Sequence, residues 1–310
     1  MSDIPDLLSM VNENNLVETV QHLQDMHTRR YGTGENIQAG TYLYNRLAAM
    51  QGLTVEYKGG EIRNIIATIP GTTNTIFIIG AHYDSISNDP GGYAPGAADN
   101  AVGVAIILEL ARIMSQYSFK HAIILALWNG EEYRSPTDYL VGSEDFARYA
   151  KDSNLDIGLY LNCDPTCVDP NGLLEFDVSD RTDIAEYQPG IRATWAADLM
   201  VNNNSLYEIG FNMLRNTKTW VYSDHLPFYS RGYYAIQCGA EEIPFKHTIQ
   251  DVIGNVSFPH ARKTAQLDMA TLAVLAEIGE IPPPPPPRYH VLTVDSNLQG
   301  ISFNLRKVAV

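Results

Sequence analysis

The chain has 310 residues and carries 36 acidic side chains against 21 lysines and arginines, which gives a formal net charge of -15. A surface of that charge repels nucleic acid and anionic membranes, so neither is an expected partner. The apolar content of 45% is ordinary for a globular protein with a sizeable core. No apolar run is long enough to cross a bilayer, so we predict no membrane insertion.

Strands and helices follow one another through the first half of the chain. Apolar residues at helical spacing predict helices over 16–27, 36–50 and 101–114. Short alternating or β-branched runs predict strands over 53–57, 62–69, 75–79 and 121–128. The first three strands are close in sequence and separated by turn residues such as Pro70-Gly71. We therefore expect them to form a meander that leads into a central sheet.

The second half continues the alternation. Strands are predicted over 157–162, 173–178 and 233–238, and helices over 193–201 and 259–278. Strands that alternate with helices are typical of a mostly parallel sheet covered on both faces. The predicted fold class is therefore α/β, with three layers and a mostly parallel mixed sheet.

An unbroken run of six prolines, Pro282 to Pro287, marks a stiff, extended spacer. We predict a catalytic domain over 1–281, a polyproline linker over 282–288 and a short β segment over 289–310. Two strand-like runs in that last segment are too few for an independent domain. They are either the start of a truncated β domain or an extra hairpin docked on the body.

Polar side chains follow the ends of three predicted strands, and the carboxyl edge of such a sheet is where ligands bind. The candidate ligands are two histidines and three carboxylates: His82, Asp99, Glu132, Asp164 and His247. Imidazole and carboxylate groups suit zinc. Five side chains exceed the needs of one catalytic zinc ion, and they suit two ions if one carboxylate bridges them.

Six motifs in a fixed order resemble one known family. They are His82-Tyr-Asp-Ser85, Pro95-Gly-Ala-Ala-Asp-Asn-Ala-Val-Gly103, Glu131-Glu132, Asp164, Ser223-Asp-His225 and His247-Thr-x-x-Asp251. They resemble the co-catalytic two-zinc exopeptidases, which include the bacterial leucine aminopeptidases and, as relatives, glutamate carboxypeptidases and glutaminyl cyclases. The resemblance covers about 16–278 and implies the three-layer zinc exopeptidase fold.

The resemblance implies two zinc ions per chain and a ligand set for each. His82 and Asp164 would bind one zinc ion. Glu132 and His247 would bind the other, and Asp99 would bridge both ions.

The resemblance also implies the catalytic groups. Glu131 would be the general base that takes a proton from water and returns it to the leaving amine. Asp84 would hold the imidazole of His82 in one tautomer. Asp251 is expected to do the same for the second histidine ligand. The peptide bond between Asp99 and Asn100 is expected to be cis.

The chain also departs from its relatives. Residues 133–141 form a longer insertion after the double glutamate, and Lys246 precedes the histidine ligand where relatives carry an aromatic residue. Tyr222 and Lys246 are therefore candidates for contacts with the substrate or the transition state. His225 either contributes there or braces the loop of the site.

The predicted function is a metallo-aminopeptidase that acts on peptides. A carboxypeptidase or a glutaminyl cyclase of the same fold is the alternative, and a catalytically inactive binding domain is the remote one. An extracellular or periplasmic location is expected, because the proline spacer suits a secreted enzyme, although the first residues lack a secretory signal pattern. Three cysteines allow at most one disulfide, and Cys163–Cys167 is a possible pair.

Overall fold

A computed structural model describes residues 3–132, 139–164, 167, 173–177, 193–217, 223–239 and 244–279. The helices are α1 Asp3–Ser9, α2 Glu13–Gln24, α3 Gly34–Ala48, α4 Val102–Met114, α5 Val141–Asp152, α6 Thr194–Leu206, α7 Leu226–Ser230 and α8 Phe258–Leu275. The strands are β1 Thr54–Lys58, β2 Asn64–Ile69, β3 Ile76–His82, β4 Ala122–Trp128, β5 Ile157–Asn162, β6 Leu173–Asp177, β7 Asn212–Thr217 and β8 Ala235–Gly239. The predicted linker and C-terminal β segment lie outside these residues.

The strands form one mixed sheet in the order β1-β2-β4-β3-β5-β8-β6-β7. The four central strands β4, β3, β5 and β8 are parallel, as the alternation of strands and helices predicts. The predicted meander of the first three strands is wrong, because β4 lies between β2 and β3. Helix α4 connects β3 to β4 as a crossover, and such a connection makes those two strands parallel neighbours.

Helices cover both faces of the sheet, which confirms the predicted three-layer α/β class. Side chains from alternate strand positions enter two separate cores, as in Ile78 and Ile79 of β3. The larger core packs against α4, whose residues are almost all buried. The smaller core packs against α5 and α7 around the aromatic rings of Trp128, Tyr160 and Phe228.

The three cysteines of the chain are buried free thiols, so the possible Cys163–Cys167 disulfide is absent. In the described part of the chain, no helix has the length and apolar character needed to cross a membrane. The parallel strands β3, β4 and β5 all end at one edge of the sheet, and the predicted ligands lie at that edge.

Candidate metal centre

All five predicted ligands meet at the carboxyl edge of the sheet. His82 is the last residue of β3, and the Nε2 atom of His82 lies 3.2 Å from Oδ1 of Asp99 and 4.0 Å from Oδ1 of Asp164. The Nε2 atom of His247 lies 3.2 Å from Oδ2 of Asp99 and 2.9 Å from Oε2 of Glu132. The two groups of donor atoms therefore share one residue, Asp99, whose two oxygens face opposite sides.

The donor atoms of these groups are buried without hydrogen-bond partners among the described residues. They are Nε2 of His82, both Oδ atoms of Asp99, Oε1 of Glu132, Oδ1 of Asp164 and Nε2 of His247. Burying several carboxylates together without compensation is costly, so the arrangement favours bound cations. Two of the groups of three donors share Asp99, their nitrogen and oxygen atoms fit zinc, and a shared carboxylate fits a pair of ions.

The backbone around Asp99 is held in place by a second carboxylate. The two oxygens of Asp251 accept hydrogen bonds from the backbone N–H groups of Ala98 (2.7 Å) and Asp99 (3.1 Å). The bond between Asp99 and Asn100 is cis, as the resemblance implies. The predicted role of Asp251 is therefore wrong in its target, since its carboxylate holds the backbone at Asp99 rather than the imidazole of His247.

Asp84 acts mainly on the double glutamate. Its carboxylate oxygens accept hydrogen bonds from the backbone N–H groups of Glu131 (3.1 Å) and Glu132 (3.2 Å). Its Oδ1 atom lies 3.7 Å from Nδ1 of His82, which is longer than a hydrogen bond. Asp84 thus fixes the turn that points two adjacent glutamates in different directions, and its charge also lies beside the imidazole.

Glu131 lies beside the candidate metal ligands and, like His247, is partly buried. His82, Glu131 and Glu132 bring one donor atom each within 4.8 Å of one another. Burial raises the pKa of Glu131 well above its ordinary value, and the nearby charges of Glu132 and Asp224 raise it further. Burial also raises the pKa of Glu132, to about 7. A carboxylate with a raised pKa beside the donor groups suits proton transfer near neutral pH.

Lys246 reaches the same centre from the loop after β8. The Nζ atom lies 3.3 Å from Oδ2 of Asp99, and one third of the side chain is exposed. The charge of Asp99 raises the pKa of Lys246, so the side chain is an ammonium at neutral pH. His225 is fully buried at the start of α7. Tyr222 lies outside the described residues.

Ser223 and Asp224 complete the centre, and sequence reasoning missed their roles. The hydroxyl of Ser223 donates a hydrogen bond to Oδ2 of Asp164 (2.9 Å) and accepts one from Nδ2 of Asn162 (2.8 Å). Burial raises the pKa of Asp224 to about 7, and Asp224 lies close enough to influence Glu131. The Ser223-Asp-His225 motif was the sequence signal for these roles. Its three polar residues come directly before an apolar run, and that run is buried in the structure.

The role of Arg29 was also not predicted from the sequence. Arg29 organises the loop that carries Asp84. Its guanidinium is fully buried, and among the described residues all of its acceptors are backbone carbonyls. The acceptors are those of Tyr83 (2.8 Å), Leu23 (3.1 Å), Pro95 (2.7 Å) and Gly96 (2.8 Å). Burial lowers the pKa of Arg29 to about 10, so the charge persists at neutral pH. Nothing in the sequence around Arg29 indicates these contacts.

Known proteins show the same fold and sequence pattern. A crystal structure of the LapA aminopeptidase of Legionella pneumophila superposes with a TM-score of 0.74 and 16% identity, over 89% of this chain and 75% of that chain. The glutaminyl cyclase of Fimbriiglobus ruber superposes with a TM-score of 0.70 and 18% identity, over 85% of this chain and 95% of that chain. At such identities the similarity establishes the fold.

Sequence relatives agree with the structural ones. A probable leucine aminopeptidase of Trichophyton verrucosum is 26% identical over 289 residues, which are 87% of this chain and 73% of the relative. A probable zinc metalloprotease of Pyrenophora tritici-repentis is 25% identical, over 76% of this chain and 65% of the relative. This chain therefore spans about two thirds to three quarters of their length. The model of peptidase family M28 matches residues 64–272. The chain belongs to peptidase family M28, a family of metallopeptidases.

Proposed function

We propose that this protein is an aminopeptidase that uses two zinc ions to hydrolyse the N-terminal bond of peptides. The observation that carries the proposal is the pair of donor groups that share Asp99. His82 and Asp164 would hold one ion with that carboxylate, and Glu132 and His247 would hold the other. Zinc bound there supplies a Lewis acid that polarises the scissile carbonyl and acidifies water.

Glu131 is the proposed general base. Its carboxylate takes a proton from the attacking water and delivers the proton to the nitrogen of the leaving peptide. Asp84 holds the backbone of Glu131 and so keeps the base at a fixed distance from His82 at the end of β3 and from Glu132. Asp251 and Ser223 orient the carboxylates of Asp99 and Asp164 in the same way.

Lys246 is the proposed stabiliser of the negative charge that develops on the substrate oxygen. Its ammonium reaches Asp99 at the open side of the centre, where one third of the side chain is exposed. We expect Lys246→Met to lower kcat about 10²-fold, because a positioned donor to a developing oxyanion has an effect of that size. Zinc content and the KM for leucyl anilide should change little. A loss of zinc in this variant would contradict the assignment.

A glutaminyl cyclase or a carboxypeptidase is the second candidate. The cyclase reaction is supported by the similarity of the fold to that of glutaminyl cyclases. The aminopeptidase is preferred, because probable leucine aminopeptidases are among the sequence relatives and two groups of donor atoms that could each hold an ion share Asp99.

The test compares four substrates on the zinc-loaded protein. Leucyl anilide should be hydrolysed, and its N-acetylated form should not, because an aminopeptidase needs the free amine. Treatment with a chelator should abolish the activity, and added zinc should restore it. Cyclisation of an N-terminal glutaminyl peptide without hydrolysis of leucyl anilide would instead establish the cyclase. Release of the C-terminal residue from an N-blocked peptide would establish the carboxypeptidase.

A further inference from the structure

The two donor groups that share Asp99 differ in exposure and face different oxygens of that residue. The first group consists of His82, Asp99 and Asp164, and all three side chains are buried. The second group consists of Asp99, Glu132 and His247, and the side chain of His247 is 32% exposed. Oδ1 of Asp99 lies 3.2 Å from Nε2 of His82, and Oδ2 lies 3.2 Å from Nε2 of His247. Each oxygen of the shared carboxylate therefore faces one group.

Lys246 contacts the oxygen that faces the second group. Its Nζ atom lies 3.3 Å from Oδ2 of Asp99, and one third of its side chain is exposed. Zinc bonds a carboxylate oxygen at about 2.0–2.2 Å, so an ion on Oδ2 would lie no more than about 5.5 Å from the ammonium. Two cations that close in a partly buried site repel each other strongly. The ammonium and an ion of the second group therefore compete for one oxygen.

No comparable cation of the described residues contacts the oxygen that faces the first group. In that part of the chain, Lys246 is the only lysine or arginine with a nitrogen within 4.0 Å of a carboxylate oxygen of either group. The buried guanidinium of Arg29 donates to backbone carbonyls instead. The competition is therefore directed at the second group.

Lys246 also supplies positive charge to the centre when no metal is bound. Asp99 raises the pKa of Lys246 most, and Asp164, Glu131 and Glu132 raise it further against the opposing effect of burial. The side chain therefore stays protonated at neutral pH and offsets part of the negative charge buried there. A contact that stabilises only the metal-free protein lowers its affinity for the metal by the same free energy.

We propose that Lys246 is a tethered counter-cation of Asp99 that weakens binding of the zinc ion at the second group. The inference rests on the proposed function, which places two ions at this centre. The ion at the first group would then be held tightly, and the other would bind and leave as the zinc concentration changes. Once released from Oδ2, the ammonium is free to contact the substrate oxygen, as the proposed function requires.

The test is a zinc titration of the metal-free protein, in which native mass spectrometry measures the populations with zero, one and two ions. Two ions that share one carboxylate also repel each other, so the diagnostic quantity is the change between wild type and variant. Lys246→Met should strengthen the second binding step about tenfold and change the first step much less. Lys246→Arg should keep the weak second step, because it keeps the charge.

Lys120→Met is the matched control. Lys120 comes just before β4, at the edge of the sheet opposite the centre, and forms an exposed ion pair with Glu277. Its substitution removes the same charge from the chain at a place where an ion pair contributes little to stability. Both binding steps should stay as in the wild type. An equal strengthening of the second step in Lys120→Met, or an unchanged second step in Lys246→Met, would overturn the proposal.

Unfolding of the metal-free protein gives a readout that needs neither zinc nor turnover. Metal-free Lys246→Met should unfold at a lower urea concentration than the wild type, because the carboxylates around Asp99 lose their counter-cation. Lys246→Arg and Lys120→Met should unfold close to the wild type. A metal-free Lys246→Met protein as stable as the wild type would refute the counter-cation.

The zinc titration separates this inference from the proposed function. Two ions bound equally well by the wild type and by Lys246→Met would refute the role of Lys246 while the two-zinc proposal stands. A wild type that binds one ion, with a second ion in Lys246→Met, would support the role of Lys246 and contradict the two-zinc proposal for the wild type.

Discussion

Glu131→Gln is expected to lower kcat on leucyl anilide about 10³-fold while the protein keeps its zinc. Glutamine has nearly the same size but cannot accept the proton of the attacking water, and general base catalysis contributes about 10²–10⁴-fold. The backbone N–H of residue 131 still donates to Asp84, so the turn at the end of β4 is preserved. The measurement is the steady-state rate together with the zinc content of the same sample.

The neighbouring glutamate provides the matched control. Glu132→Gln removes an oxygen that lies 2.9 Å from Nε2 of His247, so this variant should lose zinc as well as activity. The two substitutions are at adjacent positions and make the same chemical change. Retention of more than a tenth of the activity in Glu131→Gln would contradict its role as the base. Loss of zinc in that variant would show that Glu131 is a ligand instead.

Arg29→Met is expected to lower the free energy of unfolding by about 4 kcal/mol. The carbonyls of Leu23 and Gly96 keep a backbone donor, but those of Tyr83 and Pro95 lose the donor that the structure describes for them. Each unsatisfied group costs about 1–3 kcal/mol, partly offset because no charge is then buried. Two of the four carbonyls belong to Pro95 and Gly96, which come shortly before the proposed bridging ligand Asp99. We therefore also expect weaker zinc binding. Urea unfolding with and without zinc measures both effects.

Two further variants separate these contacts from a general effect of charge. Arg30→Met removes an exposed cation from the next position and should change the stability by less than about 0.5 kcal/mol. Arg29→Lys keeps the charge but cannot reach four carbonyls, so its stability should lie between those of the wild type and Arg29→Met. Equal stability of Arg29→Met and the wild type would contradict the role of this guanidinium.

The central strands and the residues that cluster at the sheet edge were predictable because each depends on a local pattern. A buried β-branched run that ends in a histidine or carboxylate, as at His82, is a strong signal for a functional sheet edge. Helices α5 and α7 were missed, since one is rich in charged residues and the other is a single short turn after a polar motif. Strand β7 carries polar residues and gave no clear alternation.

Contacts between distant parts of the chain were not predictable. Three of the four carbonyls that Arg29 binds lie 54 to 67 residues away in the sequence. No pattern in a single sequence encodes that geometry. Asp251 was assigned to the nearby His247, but it holds backbone groups 152 and 153 residues away. The order of β2, β4 and β3 depends on how a crossover helix packs, so adjacency in sequence misled the prediction.

Zinc content per chain, measured by native mass spectrometry as zinc is added to the metal-free protein, tests the two-ion centre most directly. We expect two zinc ions per chain in the wild type, with hydrolysis of leucyl anilide reaching its maximum as the second ion binds. Asp99→Ala should bind fewer ions, because the bridging residue contributes to both groups. A wild-type protein that binds a single zinc ion and is then fully active would contradict the shared role of Asp99.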